Sequence, residues 1–152
     1  MKRKKFLLLI LAAVATSSTV FLHAQAPRVI ELEGSDMMKF NVASITARPG
    51  EQVTVRLKVV GKMPKMAMSH NFVLLAASAD AAAFANAAAM AGATGYIPAA
   101  RKGDVLASTA MAGAGETVEV TFKAPATAGT YTFLCSFPGH FAAGMRGTFV
   151  VK

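Results

Sequence analysis

The chain has 152 residues, 54% of them apolar, with 16 basic and 8 acidic side chains, a formal charge of +8 and one cysteine. That length suits a single domain. A lone thiol excludes an internal disulfide, and basic residues that form no dense run beyond the N-terminus give no footprint for nucleic acid.

In chain order, Lys2, Arg3, Lys4 and Lys5 precede an apolar run from Phe6 to Ala15, and small residues follow around Ala24 and Ala26. This is the pattern of a secretory signal peptide, predicted over 1–24. Cleavage is placed after Ala24 because cutting after Ala26 would leave Pro27 first. The apolar run falls short of the ~20 residues a membrane span needs, so no stable membrane insertion is expected once it is removed. The predicted domain is then 25–152, and it keeps 12 basic and 8 acidic residues, a charge of +4. About two thirds of the surface of such a chain can be buried on folding, and its mild positive charge suits steering toward an acidic partner. Export also sets a problem for Cys135. A free thiol is a liability in an oxidising compartment, so it is either buried and inert or occupied.

Short strands separated by turns follow. "RVIELEG" opens the series, then "MKFNVASITA" and a turn at Pro49 and Gly50. In "EQVTVRLKVVG" Val53, Val55, Leu57 and Val59 alternate with polar residues, the period of a strand with one wet face. "HNFVLLA" is apolar almost throughout and reads as a strand covered on both sides. "DVLAST", "ETVEVTFKA", "GTYTFLCSF" and "RGTFVVK" complete the series. One segment differs: Ser78 to Gly92 is dominated by alanine, the best helix former. Ser78 or Asp80 can cap its start, Gly92 can stop it, and Phe84, Ala88 and Ala91 would share a face. The sum is an all-β protein, a Greek-key β-sandwich of seven to eight strands with one helical insertion.

The chemistry-bearing residues are few. His23 lies in the signal, which leaves His70 and His140 as the imidazoles beside Cys135. Cys135, His140 and Met145 lie in "CSFPGHFAAGM", where Pro138 and Gly139 turn the chain and Gly144 gives slack. Taken singly, each has a plainer reading: Cys135 and Met145 as core, His70 as a hydrogen-bonded strand residue. Taken together they are a thiolate, two imidazoles and a thioether. A trigonal His₂Cys set with a weak axial thioether suits copper in both oxidation states. Zinc favours closed sets of thiolates and imidazoles without a thioether. A Cys/His nucleophile would need an exposed, activated thiolate, and this cysteine sits on an apolar strand face. Four protein donors would leave no open position for a substrate, which points away from an enzyme. Phe137, Pro138 and Phe141 would keep solvent from the site.

With these residues in place, "GKMPKMAMSHNFVL", "YTFLCSFPGHFAAGMRGTFVVK" and the helical insertion before "GYIP" resemble the cupredoxins, the blue copper proteins, and among them azurin and auracyanin. The resemblance covers about Val29 to Lys152. It implies His70, Cys135 and His140 as equatorial ligands of one type 1 Cu ion, Met145 as the axial ligand, and Asn71 as a tie between the two ligand-bearing segments. It also implies a Ser69 carbonyl near the other axial side, and single-electron exchange between Cu(II) and Cu(I) with redox proteins. Docking would be transient, near His140 and the Met63, Met66 and Met68 region, on a periplasmic monomer. Three departures stand out. Four residues, Phe141 to Gly144, separate His140 from Met145, where azurin has three; this is closer to auracyanin. Ser69 replaces a glycine, and azurin's disulfide cannot form. The alternative function at the same site is a periplasmic copper-binding carrier or scavenger without electron transfer. Met63, Met66 and Met68 have three readings: ordinary packing, an adaptable docking surface, or soft ligands that pass on Cu(I).

Overall fold

A computed structural model describes residues 26–152, so the predicted signal peptide lies outside the described residues. Nine strands form two sheets: β1 (Arg28–Ser35), β2 (Lys39–Phe40), β3 (Ser44–Ala47), β4 (Gln52–Val60), β5 (Val73–Leu75), β6 (Val105–Ser108), β7 (Thr117–Lys123), β8 (Gly129–Leu134) and β9 (Arg146–Val151). One sheet has the order β2-β1-β4-β7 and the other β3-β9-β8-β5-β6. The count is nine because "MKFNVASITA" divides. Its first part, β2, pairs with β1, and its second, β3, crosses to pair with β9 in the opposite sheet.

Alternation along the strands builds the core between the sheets. Ile30 and Leu32 of β1, Val53, Val55 and Leu57 of β4, and Tyr131, Phe133, Phe149 and Val151 of β8 and β9 meet there, with Phe72 and Leu74. The polar face of β4 is not wholly wet. Thr54 is buried, and its hydroxyl meets that of Thr121 on β7 at 2.7 Å.

A second apolar layer explains the unbroken run at β5. Leu74 faces the sandwich core, while Val73 and Leu75, with Leu134, face outward onto Phe84 and Ala88 of the helix α1 (Ala81–Ala88). A strand covered on both faces reads as continuous apolar sequence. Asp80 is the cap that forms: its carboxylate accepts from the amides of Ala82 and Ala83, both at 3.0 Å. The helix ends before Gly92, which instead opens a 3₁₀ turn, Gly92–Thr94. Ala91 therefore does not join Phe84 and Ala88 in the buried face. Among the described residues, no helix is long and apolar enough to cross a membrane.

Antiparallel pairing of β5 with β8 sets up the site. Val73 lies opposite Leu134 and Leu74 opposite Phe133. Continued by two residues past the strand ends, that register brings Asn71 opposite Ser136, and so brings the segments holding His70 and Cys135 side by side.

Candidate metal centre

The site is built at one end of the sandwich from three chain segments. His70 is fixed by a two-way backbone pair with Ala112, each amide donating to the other's carbonyl at 2.8 Å. Cys135 directly follows β8. His140 and Met145 lie in the loop that joins β8 to β9. That loop is closed by its own backbone: the Met145 amide donates to the His140 carbonyl at 2.9 Å, and the Cys135 amide to the Met145 carbonyl at 3.1 Å. Gly139 and Gly144 adopt φ of +83° and +92°, a region where a side chain would be strained. The four residues between His140 and Met145 thus lie within a hydrogen-bonded turn.

The side chains of His70, Cys135 and His140 converge. All three are buried, and their donor atoms lie within 4.8 Å of one another. Cys135 Sγ is 3.4 Å from His140 Nδ1 and 3.9 Å from His70 Nδ1. The two imidazole rings are 4.9 Å apart between centroids. Met145 is fully buried, and its place is read from Gly34 on β1. A Cβ at Gly34 would sit 3.1 Å from Met145 Cε and 3.2 Å from the Cγ and Cδ2 atoms of His70, so thioether and imidazole pack side by side over that glycine. The Ser69 carbonyl oxygen lies 3.9 Å from Cys135 Sγ.

Two Nδ1 atoms face one thiol, and the buried His70 Nε2 has no hydrogen-bond partner. Burial pushes the Cys135 thiol up to about 11, opposed in part by the backbone amides of Asn71 and Phe137. Burial pulls His140 down to about 4, helped by the neighbouring charge of His70. Burial lowers His70 as well, against the pull of Asp36. Both imidazoles therefore keep free lone pairs at neutral pH. A cation that accepts all these lone pairs and displaces the thiol proton resolves the arrangement, and thiolate, imidazole and thioether are donors that suit copper.

Asn71 ties the two segments. Its Oδ1 accepts from the Ser136 amide at 2.9 Å and the Ser136 hydroxyl at 3.2 Å, and its Nδ2 reaches the same hydroxyl at 2.9 Å. Of the three residues expected to seal the site, Phe137 faces His140, with ring centroids 4.8 Å apart. Phe141 packs toward the helix side, with the Arg146 guanidinium 4.6 Å over its ring, and Pro138 is exposed.

Three participants escaped the sequence reading. Gly34 is one; a glycine inside a strand signals close approach, and here a ring and a thioether make it. Asp36 is another. Its Oδ2 accepts from the amides of Lys62 at 2.8 Å and Met63 at 3.3 Å, which holds the loop before His70. The third is Tyr96, whose ring meets Phe137 edge-on at 5.1 Å and braces the ligand loop from the helical insertion.

Comparison with known proteins agrees with this geometry. The family model described as copper binding proteins, plastocyanin/azurin family, matches residues 28–152. The chain is 38% identical over 122 residues to azurin of Alcaligenes faecalis, covering 78% of this chain and 94% of that one. It is 39% identical over 129 residues to auracyanin-A of Chloroflexus aurantiacus, covering 83% and 75%. The crystal structure of dithionite-reduced auracyanin from Roseiflexus castenholzii superposes with a TM-score of 0.73 at 33% identity, covering 84% of this chain and 99% of that one.

Proposed function

Because the chain belongs to the plastocyanin/azurin family of copper-binding proteins, we propose that it is an exported carrier of single electrons between redox proteins, and not an enzyme. His70, Cys135 and His140 would hold one copper ion, with the buried Met145 thioether as a fourth donor. The observation that carries this reading is the convergence of two Nδ1 atoms on one buried thiol across 65 residues of chain. Copper supplies the one-electron Cu(II)/Cu(I) couple.

The protein's own part is to hold the donors still. His70 is locked by its backbone pair with Ala112, Cys135 by the Met145 carbonyl and the Asn71–Ser136 tie, and His140 by its own turn. Donors fixed in advance have little to rearrange when the charge of the site changes by one. Phe137 shields His140, while Pro138 and Gly139 beside it are exposed, so this loop brings the site nearest to a partner. The mature domain, 25–152 in this reading, works as a periplasmic monomer. It docks weakly near His140 and the Met63, Met66 and Met68 loop, over less than about 1,200 Å².

The test is a visible spectrum of the copper-loaded protein. An intense thiolate-to-copper band and a reversible one-electron couple are expected, and Cys135→Ser abolishes the band while the fold survives. A colourless copper complex refutes the reading. Copper release to an acceptor protein faster than electron exchange would instead favour a metal carrier.

A further inference from the structure

Most of the methionines gather at one end of the molecule. Met145 is inside the centre. Met37 and Met38 lie in the turn after Gly34, the residue that touches His70 and Met145. Met63, Met66 and Met68 lie in the loop that ends at His70, and Met111 precedes Ala112, the backbone partner of His70. Among the described residues only Met90, next to α1, lies outside this group.

Several of these side chains are not packing the core. Met37 is 77% exposed, Met63 42% and Met66 95%, while Met68 is half-buried. Their loops are joined: the Asp36 carboxylate, one residue before Met37, accepts from the Met63 amide. Met66 stands on a compact turn, closed by the Ala67 and Met68 amides on the Pro64 carbonyl at 2.9 and 3.0 Å. The turn is anchored by the Lys65–Glu116 ion pair at 2.6 Å. A methionine side chain has three rotatable bonds, so exposed thioethers on two tied loops are free to reorient toward one ion.

We propose that Met37, Met63 and Met66 form a second, surface site for Cu(I), from which the ion enters the centre. This rests on the copper reading of the centre. Thioethers are soft donors that select Cu(I) and leave harder ions in water. Transfer breaks the copper–thioether bonds and forms bonds to Cys135 Sγ and the imidazoles. The Cys135 proton passes to water and copper stays monovalent, so no oxidant or reductant is needed.

The experiment uses the full mature protein with its centre loaded and reduced, titrated anaerobically with the acetonitrile complex of Cu(I), and reads the methionine methyl signals by NMR. One further equivalent is expected to shift the methyls of Met37, Met63 and Met66 and leave that of Met90 unmoved. In M37L/M63L/M66L that equivalent is lost. Loading of the metal-free variant from micromolar Cu(I) slows at least about tenfold, because an ion held beside the centre acts at an effective millimolar concentration. Its final blue absorbance after oxidation is unchanged. Equal shifts at Met90, no second equivalent, or wild-type loading by the triple variant would overturn the proposal. A wild-type protein that never develops the band would count against the centre instead, while the methyl shifts still report on the surface site.

Discussion

Removing the Asn71 side chain tests how the two ligand-bearing segments are held together. Asn71 is fully buried and Ser136 nearly so. In Asn71→Ala the Ser136 amide loses its acceptor, and a buried unpaired donor costs ~1–3 kcal/mol. The Ser136 hydroxyl loses both of its bonds to Asn71, worth roughly 1 kcal/mol net. Relief from burying the Asn71 amide offsets part of this, which leaves about 2 kcal/mol. At about 4 °C per kcal/mol for a domain of this size, the midpoint of thermal unfolding falls by about 8 °C. Ser136→Ala leaves the amide bond in place but strands the buried Asn71 Nδ2, and so costs ~1–3 kcal/mol. The double variant should lose little more than Asn71→Ala, so the coupling should approach the whole Ser136→Ala cost, because each side chain then has no partner left to lose. Thermal unfolding of the metal-free proteins reads stability, and the visible band of the copper-loaded proteins reads the geometry at Cys135. The band should weaken or shift in Asn71→Ala and persist in Ser136→Ala. A loss below ~1 kcal/mol in Asn71→Ala, or strict additivity in the double variant, would show that the tie is not what joins the segments.

Two further outcomes follow from the same geometry. Met145→Leu should retain copper and raise the reduction potential, since an apolar axial neighbour withdraws a donor and disfavours the more charged Cu(II); voltammetry reads this, and complete loss of copper would refute a purely axial role. Copper binding should release one proton at neutral pH, with apparent affinity rising about tenfold per pH unit past pH 9, where an ordinary thiol would level off, because burial holds Cys135 at about 11. Toward acid pH His70 also takes a proton, and below about pH 4 His140 does so beside it, so the dependence should steepen to three protons per ion. Chelator competition across pH checks both limbs, and a plateau near pH 8.5 would show that the thiol is not desolvated as described.

How much was legible in the sequence varies by element. The alternation of Val53, Val55 and Leu57 announces β4 because a half-buried strand has period two, and the alanine run with Asp80 announces α1 because propensity and cap agree locally. The split of "MKFNVASITA" between two sheets was not legible, since a change of partner strand leaves no mark on local periodicity. Gly92 is not the helix stop: α1 ends at Ala88, the last of its residues buried against Val73, Leu75 and Leu134, before the chain reaches Ala91 and Gly92.

At the site, the sequence alone determined which candidate donors residues 26–152 offer: one thiol, two imidazoles and a thioether in the loop after the thiol, three of the four in a stretch whose turn residues are local signals. Only the tertiary structure decided that His70 joins them, that Gly34 makes room for Met145 beside it, and that Asp36 and Tyr96 brace the loops from elsewhere in the chain. Donor chemistry belongs to single residues and can be read one at a time. Convergence depends on the register between β5 and β8 and on burial shared by three segments, and no single stretch of chain carries that information.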